Sequence, residues 1–181
     1  MVFTGSNGAT LGGGSQYTFS SLIIYDNNGY WDVQGSDTLT AKVFRFYSSG
    51  TGTFHIAGGG IVTLNDGFFY LTGGTLAGDG RSTINLYAPT SGDYKGIAIF
   101  SPVNNHTTFH VQGQSILNIT GSILIPGSEL LLDGSAVVTS LNSQVVCNDI
   151  VTGGSSSLTT TYKASQNYSG AGSSTLIDLN H

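Results

Sequence analysis

The chain has 181 residues, 27 of them glycine and only 8% charged, against about 25% charged residues in an average soluble domain. Its net charge is −5 and its five basic residues, Lys42, Arg45, Arg81, Lys95 and Lys163, are scattered, which excludes a phosphate-neutralising patch for nucleic acid and a polybasic contact with anionic lipid. The single cysteine, Cys147, excludes an intrachain disulfide, and no apolar run approaches the ~20 residues of a membrane-spanning helix.

Low charge combined with plentiful Val, Ile, Leu, Phe and Tyr opposes disorder. The length suits one domain. Residues 1–17, rich in Gly and Ser, read as a flexible or capping lead-in, and residues 18–181 as the folded domain. The start, Met1-Val-Phe-Thr-Gly5, lacks the basic and apolar regions of a signal peptide, so the chain is expected to be an excised ectodomain with an added Met.

From Phe19 onward, short apolar runs alternate with turn residues. Phe19–Tyr25 ends at Asp26-Asn-Asn-Gly29, and Tyr30–Val33 ends at Gln34-Gly35. Within Thr38–Tyr47, Val43, Arg45 and Tyr47 alternate with Phe44 and Phe46, the two-residue period of a strand. Runs then begin near 53, 61, 68, 75 and 83, seven or eight residues apart. That spacing is one side of a three-sided coil plus its corner. Two loops, Ala88–Gly96 and Ser101–Thr107, interrupt the rhythm around the strand Ile97–Phe100.

The rhythm is clearest over Ile116–Tyr162. Runs at 116–119, 123–125 and 130–132 recur at 137–141, 145–147 and 150–152, and 158–162 opens a third copy. Ile116, Val137 and Leu158 are offset by 21, Ile123 and Val145 by 22, and Leu130 and Ile150 by 20. A repeat of this length with three strand-sized runs predicts an all-β, single-stranded parallel β-helix: a three-sided β-solenoid of roughly seven coils. The rule for parallel crossovers predicts a right-handed one. Either Leu130 and Ile150 or Leu131 and Val151 face the core; the pattern leaves both parities open. Thr175–Leu179 reads as a last strand, and no segment has helical periodicity.

Asp93-Tyr-Lys-Gly-Ile-Ala-Ile-Phe100, Thr120-Gly-Ser-Ile-Leu-Ile-Pro126, Ser143-Gln-Val-Val-Cys-Asn148 and Ser157-Leu-Thr-Thr-Thr-Tyr162 together resemble the rungs of a known domain. It is the C-terminal β-solenoid domain of TadG-like bacterial surface proteins, which are associated with the tight-adherence pilus machinery. Ser143 stands where that pattern has Gly, and Asn148 where it has Asp. The resemblance spans about half of the chain, from Asp93 to Leu179, and implies extracellular display with no enzymatic residue to carry over.

Read for chemistry, the chain offers no catalytic residue, metal site or cofactor motif. Its aspartates mostly sit beside Gly or Asn, where a short carboxylate accepts local backbone N–H groups. Glu129 and Asp149 are expected on successive coils as solvated corner residues. His55 and His110, each after a Phe, are expected to point outward beside an inward ring, and Cys147 to act as a small buried hydrophobe. Three Asn-X-Ser/Thr triplets, at Asn105, Asn118 and Asn167, are expected as chance matches in a chain rich in these residues.

The candidate ligand-binding residues are Tyr30, Trp31, Phe69 and Tyr70, in two aromatic clusters that also contain Tyr25 and Phe68. An exposed aromatic shelf suits a sugar or a protein partner; core filling and coil-to-coil stacking compete for the same rings. The function expected is a non-catalytic, extracellular structural or adhesive display domain at the cell surface. Its partner would be a protein or glycan, with no nucleic acid and no membrane insertion. A carbohydrate-active β-helix enzyme is the alternative, to be recognised by convergent carboxylates. An ice-binding solenoid is the second, to be recognised by a flat, regular threonine face.

Overall fold

The structure, a computed structural model, describes residues 1–135 and 137–169. The expected strand Thr175–Leu179 and the C-terminal His181 lie outside the described residues. Among the described residues, nineteen strands wind into seven stacked coils. The first coil is β1 (Val2–Gly5), β2 (Ala9–Leu11) and β3 (Gln16–Phe19); the second β4 (Leu22–Asp26), β5 (Tyr30–Val33) and β6 (Thr38–Ala41). The third is β7 (Phe44–Ser48), β8 (Thr53–Ile56) and β9 (Ile61–Leu64), and the fourth β10 (Gly67–Leu71), β11 (Thr75–Gly78) and β12 (Thr83–Tyr87). The fifth is β13 (Ile97–Phe100), β14 (Thr108–Val111) and β15 (Ile116–Thr120). In the last two, the long strands β16 (Ser122–Leu132) and β18 (Val145–Thr152) run around a corner before β17 (Val137–Asn142) and β19 (Ser157–Thr160).

Each strand pairs in parallel with its counterpart one coil away. Strands β3, β6, β9, β12, β15, β17 and β19 form one side. The other two sides are joined into one sheet by the corner-turning β16. Residues 1–17, read from sequence as a flexible or capping lead-in, are wound here as the first coil, with Val2 opposite Ile23, Ala9 opposite Trp31 and Gln16 opposite Thr38. The repeat offsets become registers: Ile116 pairs with Val137, Ile123 with Val145 and Leu130 with Ile150. The last rung slips by one, because Leu158 lies opposite Val138 rather than Val137.

One corner recurs in six coils. Gly35, Gly58, Gly80, Gly113, Gly134 and Gly154 follow the second side, all with φ between 62° and 75°, a left-handed backbone that costs little only for glycine. They stack so closely that a Cβ on Gly80 would sit 2.9 Å from the Gly58 carbonyl oxygen. Backbone N–H groups link the corners: Gly59 donates to Gly35, Gln114 to Gly80 and Ser155 to Gly134, each at 2.6 Å.

Inward positions alternate with outward ones along each side, as the pleat requires. Phe44, Phe46, Phe54 and Phe69 meet in the third and fourth coils with ring centroids 5.1–5.7 Å apart, and all four are at most 2% exposed. Parity within the leucine run is set: Leu130 and Leu132 are buried, whereas Leu131 faces out beside His110. Leu130→Ala or Leu132→Ala is expected to cost about 2–5 kcal/mol in urea unfolding, and Leu131→Ala about 1 kcal/mol or less; equal losses at the three sites would contradict the register. Gly80→Ala is expected to cost at least about 1–2 kcal/mol from its φ alone, read as a lowered urea midpoint.

Candidate functional site

The side built from β4, β7, β10 and β13 carries aromatic residues on its outer surface. Tyr25, Tyr47, Tyr70 and Phe100 occupy one column, each directly opposite the next on successive coils. Because the coils are in register, a ring at this position must deal with the ring one coil away. Two stacks result: Tyr25 on Tyr47, with centroids 5.0 Å apart and planes within 10°, and Tyr70 on Phe100, 5.7 Å apart and within 6°.

A loop completes the face. Tyr94, in the excursion between β12 and β13, lies flat on Phe68 at 4.1 Å. That contact explains why Phe68 and Phe69 are both buried although neighbours on a strand point opposite ways: Phe69 faces the core and Phe68 faces out under Tyr94. The Tyr47 and Tyr94 hydroxyls are 3.4 Å apart. Burial, then the bond to Tyr94, pushes the Tyr47 phenol well above its ordinary range. Arg45 stands 5.9 Å from the Tyr94 ring centroid and is paired with Asp66 at 2.9 Å.

The structure separates the four sequence-derived candidates. Tyr70 belongs to this face. Phe69 is 0% exposed and is a core residue. Trp31 also turns inward, in register with Phe54, and meets Phe3 edge-on at 5.3 Å near the open apolar end of the first coil. Tyr30 is 49% exposed but lies on a different side, beside His55 at 5.4 Å. Burial, followed by the nearby Asp32 and Asp79 carboxylates, raises its phenol above the ordinary value. Tyr25 and Tyr47 complete the aromatic column; Tyr25 was visible in its cluster, whereas Tyr47 lay in an alternating run that read simply as strand.

The polar residues serve the scaffold. His55 points outward beside inward Phe54, and its ring bridges two neighbouring coils: Nδ1 is 3.0 Å from Asp32 and Nε2 3.2 Å from Asp79. Both ring nitrogens are thereby committed. Asp26 accepts the Gly29 N–H at 2.7 Å, Asp37 the Ser15 N–H at 2.5 Å, and Asp133 the Gly134 N–H at 2.6 Å. Glu129 and Asp149 do lie opposite each other on successive coils. Among the described residues, no three His, Cys, Asp or Glu side chains are grouped as a metal ion requires. Asn105 is 2% exposed and donates to the Leu71 and Gly74 carbonyls, and Asn167 is 4% exposed, so a glycan at either has no room in this fold.

A hydroxyl and amide ladder does exist, on the third side. Thr18, Thr40, Thr63, Asn85 and Asn118 form its column. Asn118 donates to Asn85 at 2.8 Å and Asn85 to Thr63 at 3.3 Å, so the amides satisfy one another along the stack. The adjacent column mixes Gln16, Thr38, Ile61, Thr83 and Ile116.

Comparison with protein-family models, curated proteins and solved structures finds no match for this chain. The geometry therefore carries the functional reading. Cys147 is half-buried in register with buried Ile125, and burial, then Asp149, raises its thiol above the ordinary value. A raised value means less thiolate at a given pH. Alkylation by iodoacetamide at pH 8 is expected to be slower than for a free cysteine peptide, with its rate profile displaced to higher pH; a faster reaction would contradict this environment.

Proposed function

We propose that this chain is a non-catalytic binding and display domain, carried outside the cell on a bacterial surface or pilus-associated protein. The observation that carries the reading is the outer aromatic column of Tyr25, Tyr47, Tyr70 and Phe100. Aromatic rings on the outside of a rigid sheet cover area with little entropy to lose on binding, and such rings recur where proteins meet partners or sugars. The scaffold suits display, since a parallel solenoid presents one side as a fixed surface.

Two further features support it. His55 and several carboxylates that a hydrolase or lyase would need free, those of Asp26, Asp32, Asp37, Asp66 and Asp79, are engaged in turns, in coil-to-coil bridges or with Arg45. The resemblance of Asp93–Leu179 to the TadG-like solenoid domain points to the cell surface, and the low charge favours neither nucleic acid nor anionic membrane as partner.

The test uses the purified chain on an array that carries both bacterial surface proteins and glycans. Saturable binding is expected, weakened about tenfold or more by Tyr25→Ala with the melting temperature unchanged, since half of Tyr25 is already in water. Incubation with pectin, alginate or peptidoglycan fragments, with and without Ca²⁺, is expected to release no new ends. Cleavage abolished by one Asp substitution would establish the enzyme instead.

A further inference from the structure

The aromatic column ends in a step. Opposite Tyr25 the first coil offers only Thr4 in place of a ring. Tyr25 and Tyr47 cover each other's facing sides, so the free face of Tyr25 is the one turned toward this step, and the residue is 49% exposed. An open groove of about 360 Å³ runs from Gly5 past Tyr25 and Tyr47 to Tyr70, across four coils or about 14 Å. Its rim is polar. Asn27 and Ser49 stand along it, with Ser49 donating to Asn27 Oδ1 at 3.0 Å so that the Asn27 amide N–H₂ is left for solvent or ligand. At the back lies Asp26, 4% exposed, whose Oδ1 has no hydrogen-bond partner.

We propose that this groove is a glycan site that takes a short run of a neutral oligosaccharide, one sugar ring seated on the free face of Tyr25; the proposal rests on the binding-domain reading above. Three properties select this ligand class. An aromatic face bordered by amide, hydroxyl and carboxylate groups matches a pyranose, which is apolar on its C–H face and polar around its edge. The groove has the length and openness for a chain that enters and leaves at both ends, unlike an enclosed small-molecule pocket. Its charge excludes anionic ligands: no Lys or Arg lines it, its one ionisable acid is Asp26, and Arg45, on the same side, is turned to Asp66.

The experiment is calorimetric titration of the whole chain with cellohexaose, chitohexaose and mannohexaose, and with an oligogalacturonate of equal length. At least one neutral hexasaccharide is expected to bind saturably and at least about tenfold more tightly than the anionic one. Tyr25→Ala is expected to weaken it about tenfold. Asn27→Ala should weaken it several-fold, while substitution of Tyr87, 42% exposed on the third side, to Ala should leave it unchanged. Thr4→Trp, which lays a ring over the free face of Tyr25 from the facing position on the first coil, should block binding with the β spectrum intact. Absence of binding to every neutral hexasaccharide, equal binding of the oligogalacturonate, or insensitivity to both Tyr25→Ala and Thr4→Trp would overturn the glycan site. In that event, Tyr25-dependent binding of a surface protein on the array would leave the binding-domain reading standing, and loss of that too would overturn both.

Discussion

Everything in this molecule depends on identical spacing between coils. A single coil has no interior, and its backbone N–H and C=O groups point along the solenoid axis toward the coils on either side. Those groups must be paired, so each coil sits one strand spacing, about 4.8 Å, from the next. Every position then faces its own counterpart one coil away. The glycine corner shows how strict this is: a Cβ on Gly80 or Gly113 would sit 2.9 or 2.7 Å from the carbonyl oxygen of the corner glycine one coil before.

The same constraint builds each surface. Inside, it lines up Phe44, Phe46, Phe54 and Phe69 into a ring cluster, where tilted and edge-on contacts suit the aromatic quadrupole. Outside, it forces Tyr25 onto Tyr47 and Tyr70 onto Phe100. On the third side it places Asn118, Asn85 and Thr63 so that each side chain meets the next. Several outer polar groups are thus satisfied by the rung one coil away, as His55 is by Asp32 and Asp79 on either side of it.

Where the constraint is relaxed, the chain gains individuality. Between the fourth and fifth coils the register step grows to 33 residues, Thr83 to Ile116, because the segments 88–96 and 101–107 leave the rung pattern. One of these segments returns as Tyr94, which covers Phe68 and closes part of the aromatic side. The other returns as Asn105, whose buried amide holds the Leu71 and Gly74 carbonyls. At the opposite end of the column, the small residues of the first coil leave the step beside Tyr25. The candidate site therefore lies where a periodic scaffold stops repeating.

The amino-acid sequence by itself determined the all-β class, the three-sided coil and the main registers of its C-terminal coils. Strand length, two-residue alternation and corner glycines are local properties that repeat at offsets of 20–22, and Ile116–Val137, Ile123–Val145 and Leu130–Ile150 pair as those offsets require. Only the tertiary structure decided which face of each strand is inside. Leu130-Leu-Leu132 and Phe68-Phe-Tyr70 are apolar at every position, so alternation gives no direction there; the neighbouring coils set it, burying Leu130, Leu132 and Phe69. It also turned Trp31 inward and wound residues 1–17 as a coil, because their three- and four-residue strands are too short to declare themselves and hold only against β4, β5 and β6. The groove at Tyr25 was beyond the sequence for the same reason: it is made by what the coil one step away lacks, and a side chain's neighbours across coils are fixed by packing rather than by its place in the chain.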